Sequence, residues 1–166
     1  MRISVFPTVL MFLCCASAIR ADEPLAPPSR YEVKSSSHKF VATIDPKSGV
    51  RVSAAGSSQA LWTSTNWFRV AFLADDGEHL VTGYDGMNLI PQDYTKDLVL
   101  ISFWRRDKKI RDVTVGELFP DARILQKTVS HYNWGSITTI TNGAAVVRRC
   151  DGKVMRFDVT TGRITK

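Results

Sequence analysis

Short apolar runs alternate with turn signals along most of the chain, and this rhythm predicts strands. In residues 39–45 (KFVATID), Phe40, Ala42 and Ile44 share one face, which is the two-residue period of a half-buried strand. A turn at 46–49 has Pro46 where a type I turn favours proline. Beyond it, Val50 and Val52 face one way and Arg51 and Ser53 the other. Residues 59–64, around Trp62, close this first unit. A second unit covers residues 67–119. Its stretch 67–74 is apolar on both faces, which predicts a strand covered from both sides. Asp75-Asp76-Gly77 supplies a tight turn, since glycine accepts positive φ, and residues 79–85 return. Residues 86–96 read as a loop interrupted by Pro91. Residues 98–104 (LVLISFW) form the most continuous apolar run and are the predicted centre of the domain. The chain turns at 105–108 and returns through 109–113.

One helical turn follows, near 114–119. Thr114 and Glu117 have capping-box spacing, and Val113 and Leu118 stand where a hydrophobic staple is built. Gly116 and Pro120 limit it to about one turn. Residues 121–133 read as an irregular strand and a loop. The end of the chain is clearer: strands at 136–141, 144–150, 153–159 and 163–166 are separated by Asn142-Gly143, Asp151-Gly152 and Thr161-Gly162. Asn-Gly and Asp-Gly are strong hairpin signals, so a four-stranded meander is expected. The expected fold is therefore all-β, with about three four-stranded antiparallel units arranged as an incomplete propeller or as packed sheets. Lys39-Phe40-Val41-Ala42 and Asp45 are echoed at His79-Leu80-Val81-Thr82 and Asp85, a spacing near that of propeller blades.

Asp76-Gly77 followed by Leu80-Val81-Thr82, then Asp97, Val99, Ile101 and Trp104, then Ile110, resembles the blade repeat of WD40-type and quinoprotein-type propellers. Asp151-Gly152-Lys153 with Phe157-Asp158-Val159 and Thr161-Gly162 resembles it again. A tryptophan before an apolar strand (Trp62), the Asp76-Gly77 turn, the strands at 80–82 and 98–101 and the short helix at 115–118 are similar to those of uncharacterised exported bacterial proteins. The resemblance spans roughly residues 39–114. It implies a blade-like fold and export, and it brings no catalytic residue with it. A closed propeller has at least four blades, one more than the three units found.

The first residues add a compartment. Arg2, an apolar stretch over 5–15 and Ala16-Ser17-Ala18 form the three parts of a signal peptide. Residues 1–21 are read as that peptide, cut after Ala18 or Ala21. The apolar run is shorter than the roughly 20 residues a membrane helix needs, so no stable membrane insertion is expected after cleavage. Residues 22–30, with Pro24, Pro27 and Pro28, read as a flexible lead-in, and residues 31–166 as one β domain. Cleavage removes Cys14 and Cys15, so the remaining Cys150 has no intramolecular partner and the fold must rest on packing. The formal charge is +6. Cleavage after Ala21 removes two of those charges, those of Arg2 and Arg20. The remaining charges are dispersed, which does not suggest a nucleic-acid partner.

Little in the sequence points to chemistry. Asp75, Asp76 and Glu78 lack the spacing of a calcium loop and read as turn residues. His38, His79 and His131 have no zinc spacing and no serine motif beside them. No metal and no cofactor is expected. Four residues are the candidates for a ligand surface. Trp67 and Trp134 each adjoin an asparagine, at 66 and 133, and offer aromatic faces. Arg105 and Arg106 sit at a hairpin tip beside Trp104 and offer anion contacts. The leading expectation is an exported non-catalytic β domain, secreted or periplasmic, that presents loops to a protein or glycan partner. The alternatives are a small secreted hydrolase with a dispersed histidine and carboxylate site, and a self-assembling structural protein that forms homo-oligomers.

Overall fold

The structure is a computed structural model and describes residues 25–165. The signal peptide read over residues 1–21 lies outside the described residues. Residues 25–30 have no regular structure and are exposed. Arg69 Nη1 reaches this segment, donating to the Ala26 carbonyl at 2.6 Å.

The first sheet consists of β1 (Tyr31–Lys34), β2 (Phe40–Asp45), β3 (Gly49–Ala54) and β4 (Ala60–Ser64), in that spatial order. The sequence pattern identifies β2, β3 and β4 but leaves out β1. With only four residues, of which Tyr31 and Val33 are half-buried, β1 is too short to show a period. The second sheet contains β5 (Ala71–Leu73), β6 (His79–Gly83), β8 (Val99–Arg105) and β9 (Lys108–Thr114), in the order β5-β6-β8-β9. Between β6 and β8 lies β7 (Leu89–Pro91), where the sequence predicts only a loop. The expected strand over 67–74 is regular only across Ala71–Leu73, with one backbone hydrogen bond to β6 beyond it at Val70 and one at Ala74. The echo forty residues apart has a structural meaning, because it aligns β2 with β6, the second strands of their sheets.

The expected helix is present as α1 (Val115–Leu118). Thr114 is its N-cap, and its hydroxyl accepts from the Glu117 N–H at 3.4 Å. Only half of the capping box forms, since the Glu117 carboxylate pairs with Arg111 instead of the cap N–H. A 3-10 turn (Ala122–Ile124), β10 (Gln126–Lys127) and β11 (His131–Asn133) occupy the hard-to-read stretch. β11 pairs with both β10 and β7, making a ribbon whose outer strands lie far apart in sequence. The third sheet is β12 (Gly135–Thr141), β13 (Ala144–Arg149) and β14 (Val154–Asp158). Asn142 and Gly143 have φ of 50° and 70°, the paired left-handed conformation of a tight hairpin turn. The expected fourth strand of this meander is reduced to one bridge, Phe157 with Ile164.

The second sheet is covered on both faces, which explains its unbroken apolar sequence. Leu73 and Leu80 pack with Val50, Val52 and Trp62 of the first sheet, and Trp104 rests against that cluster. Val81, Ile101 and Phe103 pack with Ile137, Val147 and Phe157 of the third sheet. The register separates the two sets, because Leu80 faces Trp104 across the ladder and Val81 faces Phe103. β5 also contacts β1, β2 and β12. The first strands of the three main sheets thus converge on one strand, in a blade-like arrangement.

Candidate functional site

A cavity of about 440 Å³ opens between the second and third sheets. Val70 and Gly83 line it from the second-sheet side, where the Gly83 N–H donates to the Val70 carbonyl at 3.0 Å. Met87 and Asn88 line it from the turn before β7. Trp134, Ser136 and Ile137 line it from the start of β12, and Arg148 from β13. The ribbon holds these walls in place. The Trp134 N–H donates to the Asn88 carbonyl at 3.0 Å, and its indole Nε1 donates to the Met87 carbonyl at 2.6 Å. Gly135 fits where no other residue would. Its φ is 120°, and a Cβ there would lie 2.1 Å from the Arg148 carbonyl oxygen.

Two adjacent arginines at this cavity have opposite environments, because successive strand residues point to opposite faces. Arg149 is 7% exposed. Its guanidinium is held by Asp151 at 2.5 Å and 3.1 Å and by the Leu118 carbonyl at 2.8 Å, over the Phe119 ring at 4.8 Å. The Arg149 hydrogen bonds keep the Asp151 carboxyl below the usual carboxylate range. Arg148 is exposed, and its guanidinium has no hydrogen bond or ion pair among the described residues. The walls therefore combine apolar surface with one uncompensated positive charge. No histidine, cysteine or carboxylate lines the cavity among the described residues.

The four residues singled out in the sequence do not form one site. Arg105 and Arg106 do come together, at 3.1 Å and 2.8 Å from the two oxygens of Glu78. Hydrogen bonds from Arg106 and then Arg105 lower the Glu78 pKa. Glu78 also fixes the turn, as its carbonyl accepts from the Arg106 N–H at 2.8 Å, while Arg106 holds a left-handed φ of 56°. Trp67 is half-buried beneath the Arg69 guanidinium, at 5.3 Å. Trp134 lines the cavity, but it is only 1% exposed. Its ring faces are packed in the core, so it offers no open stacking platform.

Arg148, Asn88 and Met87 were not legible as site residues. The only signal was the Arg148-Arg149 pair in an otherwise apolar strand. Which of the two stays unpaired depends on where Asp151 folds back, and sequence spacing does not show that.

The acidic cluster is turn chemistry. Asp75 Oδ1 accepts from the Ser37 N–H at 2.6 Å, which ties the first sheet to the second and lowers the Asp75 pKa. Burial tends to raise the Asp76 pKa, but the N–H groups of Glu78 and His79 and the His79 ring outweigh it, so the net shift is downward. His79 Nδ1 lies 2.6 Å from Asp76 Oδ2. Among the described residues no serine, threonine or cysteine is bonded to this pair. His38 lies in the turn between β1 and β2, and His131 at the start of β11. No group of three or more histidine, cysteine or acidic side chains could hold a metal among the described residues. No helix among them is long and apolar enough to cross a membrane.

The fold and cavity can be set beside known proteins. No family model matches the chain, and no curated protein matches it. Solved structures do show a likeness. The structure of U3-55K aligns with 89% of this chain at 11% identity and a TM-score of 0.42, and the RRP9 WD40 repeats align with the same share at the same identity and score. The chain spans about two-fifths of the length of those structures, 40% and 39% respectively. The all-β assignment rests on the chain's own antiparallel sheets.

Proposed function

We propose that this chain is an exported, non-catalytic β domain that binds a protein partner through the face bearing the cavity. The observation that carries this reading is the composition of the cavity walls. They provide apolar surface, amides and a positive charge, but no acid, base or activated nucleophile, so the cavity is suited to holding a group and not to transforming it. Export is supported by the signal-peptide pattern over residues 1–21. A protein partner is favoured over a glycan because the aromatic faces that would stack on a sugar are packed inside, Trp134 foremost.

The test is a photo-crosslinking side chain placed at Met87, which lines the cavity and is 46% exposed, or at Leu61 on β4, which is 51% exposed. In cells that produce the protein, a discrete protein adduct is expected from Met87 and none from Leu61. Absence of an adduct from Met87 would overturn the reading. So would turnover of a hydrolase substrate panel that disappears in His79→Ala.

A further inference from the structure

We propose that the cavity between the second and third sheets receives the C-terminal end of a partner polypeptide, an apolar last side chain with its free carboxylate set against Arg148. This rests on the binding-domain reading and specifies its ligand. Three features define the ligand. The walls from Val70, Met87, Trp134 and Ile137 are apolar, and burial of an aliphatic side chain against them is favourable. A volume of about 440 Å³ accommodates a side chain and the main chain that bears it. Arg148 is the unpaired cation at this cavity, whereas Arg149 beside it is held by Asp151. A guanidinium pairs with a carboxylate through two parallel hydrogen bonds. No carboxylate from the chain lines the cavity to compete for it.

A set of polar groups at the cavity separates a polypeptide end from a free fatty acid. Asn88 lines the cavity, and its side-chain amide has no partner among the described residues. Asn133 Oδ1 accepts from the Gly135 N–H at 3.0 Å, and its Nδ2 has only a 3.5 Å contact with Gln126. Ser136 adds an exposed hydroxyl. A peptide main chain offers an N–H and a carbonyl at each residue to pair with these groups. An alkyl chain would cover them without pairing them, which is costly.

The experiment uses calorimetric titration with three probes: an acetylated hexapeptide ending in leucine with a free carboxylate, the same peptide with a C-terminal amide, and octanoate. They are titrated into the wild-type chain, Arg148→Gln and Arg163→Gln. Arg163 is also exposed, so the second variant removes one charge away from the cavity and controls for the general attraction of a basic protein. The free-acid peptide is expected to bind about tenfold more tightly than its amide. Arg148→Gln is expected to remove that advantage and to leave the thermal transition unchanged, while Arg163→Gln retains the advantage. Equal binding of acid and amide, an unaffected Arg148→Gln, octanoate as the tightest ligand, or no saturable binding of any probe would overturn the proposal. A Met87 adduct obtained alongside any of these results would leave the binding-domain reading standing and remove only the carboxylate assignment.

Discussion

The second sheet and the β7–β11–β10 ribbon are fed by the same segment of chain. The polypeptide leaves the sheet after Gly83, forms β7, and rejoins the sheet at Val99. The sheet is a local object, in which β6 and β9 each pair with the strand just before them and β8 skips only β7, and Leu80, Val81, Leu100, Ile101 and Phe103 are at most 1% exposed. The ribbon joins residues about forty apart: Tyr132 faces Ile90, and Asn133 faces Leu89. β10 is fully exposed and β11 only half-buried, and the anchors of the ribbon are Ile90 and Trp134. Apolar area holds the sheet, whereas a few hydrogen bonds around one tryptophan and one glycine hold the ribbon. The cavity lies beside the weaker of the two, as expected if ligand-binding parts come from the less stable end of a structure.

The largest expected effect breaks the stronger side. Phe103 is fully buried and packs on Phe157, with ring centroids 6.0 Å apart. Phe103→Ala is expected to cost about 3–5 kcal/mol in chemical denaturation. The loss should be cooperative, so that amides of the sheet and the ribbon exchange faster together. If the ribbon amides kept their protection, the ribbon would be held independently of the sheet.

What could be read in advance follows the same divide. The strands at 98–104 and 136–159 were legible because alternation and Asn-Gly or Asp-Gly turns are local signals, and local signals decide a meander. Thr114 was legible as a cap because its partner is only three residues away. β7 was not legible, because its partner β11 lies forty residues on and three residues show no period. The position of Trp134 misled for a related reason. The asparagine beside it suggests a loop position. In the fold, Gly135 instead lets the chain pass close to the Arg148 backbone and draw the indole inside. Arg148 was invisible as a site residue because its significance lies in the absence of a partner, and only the folded position of Asp151 makes that evident.

A smaller and more local effect is expected at the junction of ribbon and third sheet. A Cβ on Gly135 would lie 2.1 Å from the Arg148 oxygen and 2.8 Å from the Arg149 Cα. These are backbone atoms, so β12 would have to shift away from β13. Gly135→Ala is expected to cost about 1–3 kcal/mol. Hydrogen exchange should place the loss in residues 131–137 and the Trp134 contacts, with β6 and β8 unchanged. Uniform loss across the molecule would show that the ribbon and the sheet are a single unit, and would end the comparison.

The smallest effect tests another long-range join, this time between the first sheet and the segment that leads to β5. The Tyr31 hydroxyl donates to the Phe68 carbonyl at 2.6 Å, across 37 positions of sequence. Burial pushes the phenol up to about 12, with the nearby Arg69 charge opposing it. The fold therefore prefers the neutral phenol. Its contribution is complete below the unfolded value of about 10 and declines as the pH rises through about 12. Tyr31→Phe is expected to cost about 1 kcal/mol at neutral pH by removing the hydrogen bond. Because the variant also lacks the group that ionises, the stability gap between it and the wild-type chain should narrow between about pH 10 and pH 12. Denaturation midpoints of both proteins across that range measure the gap. A gap that stayed constant or widened would mean that Tyr31 rests on the fold as apolar surface alone, leaving the first sheet joined here by packing, as within the second sheet.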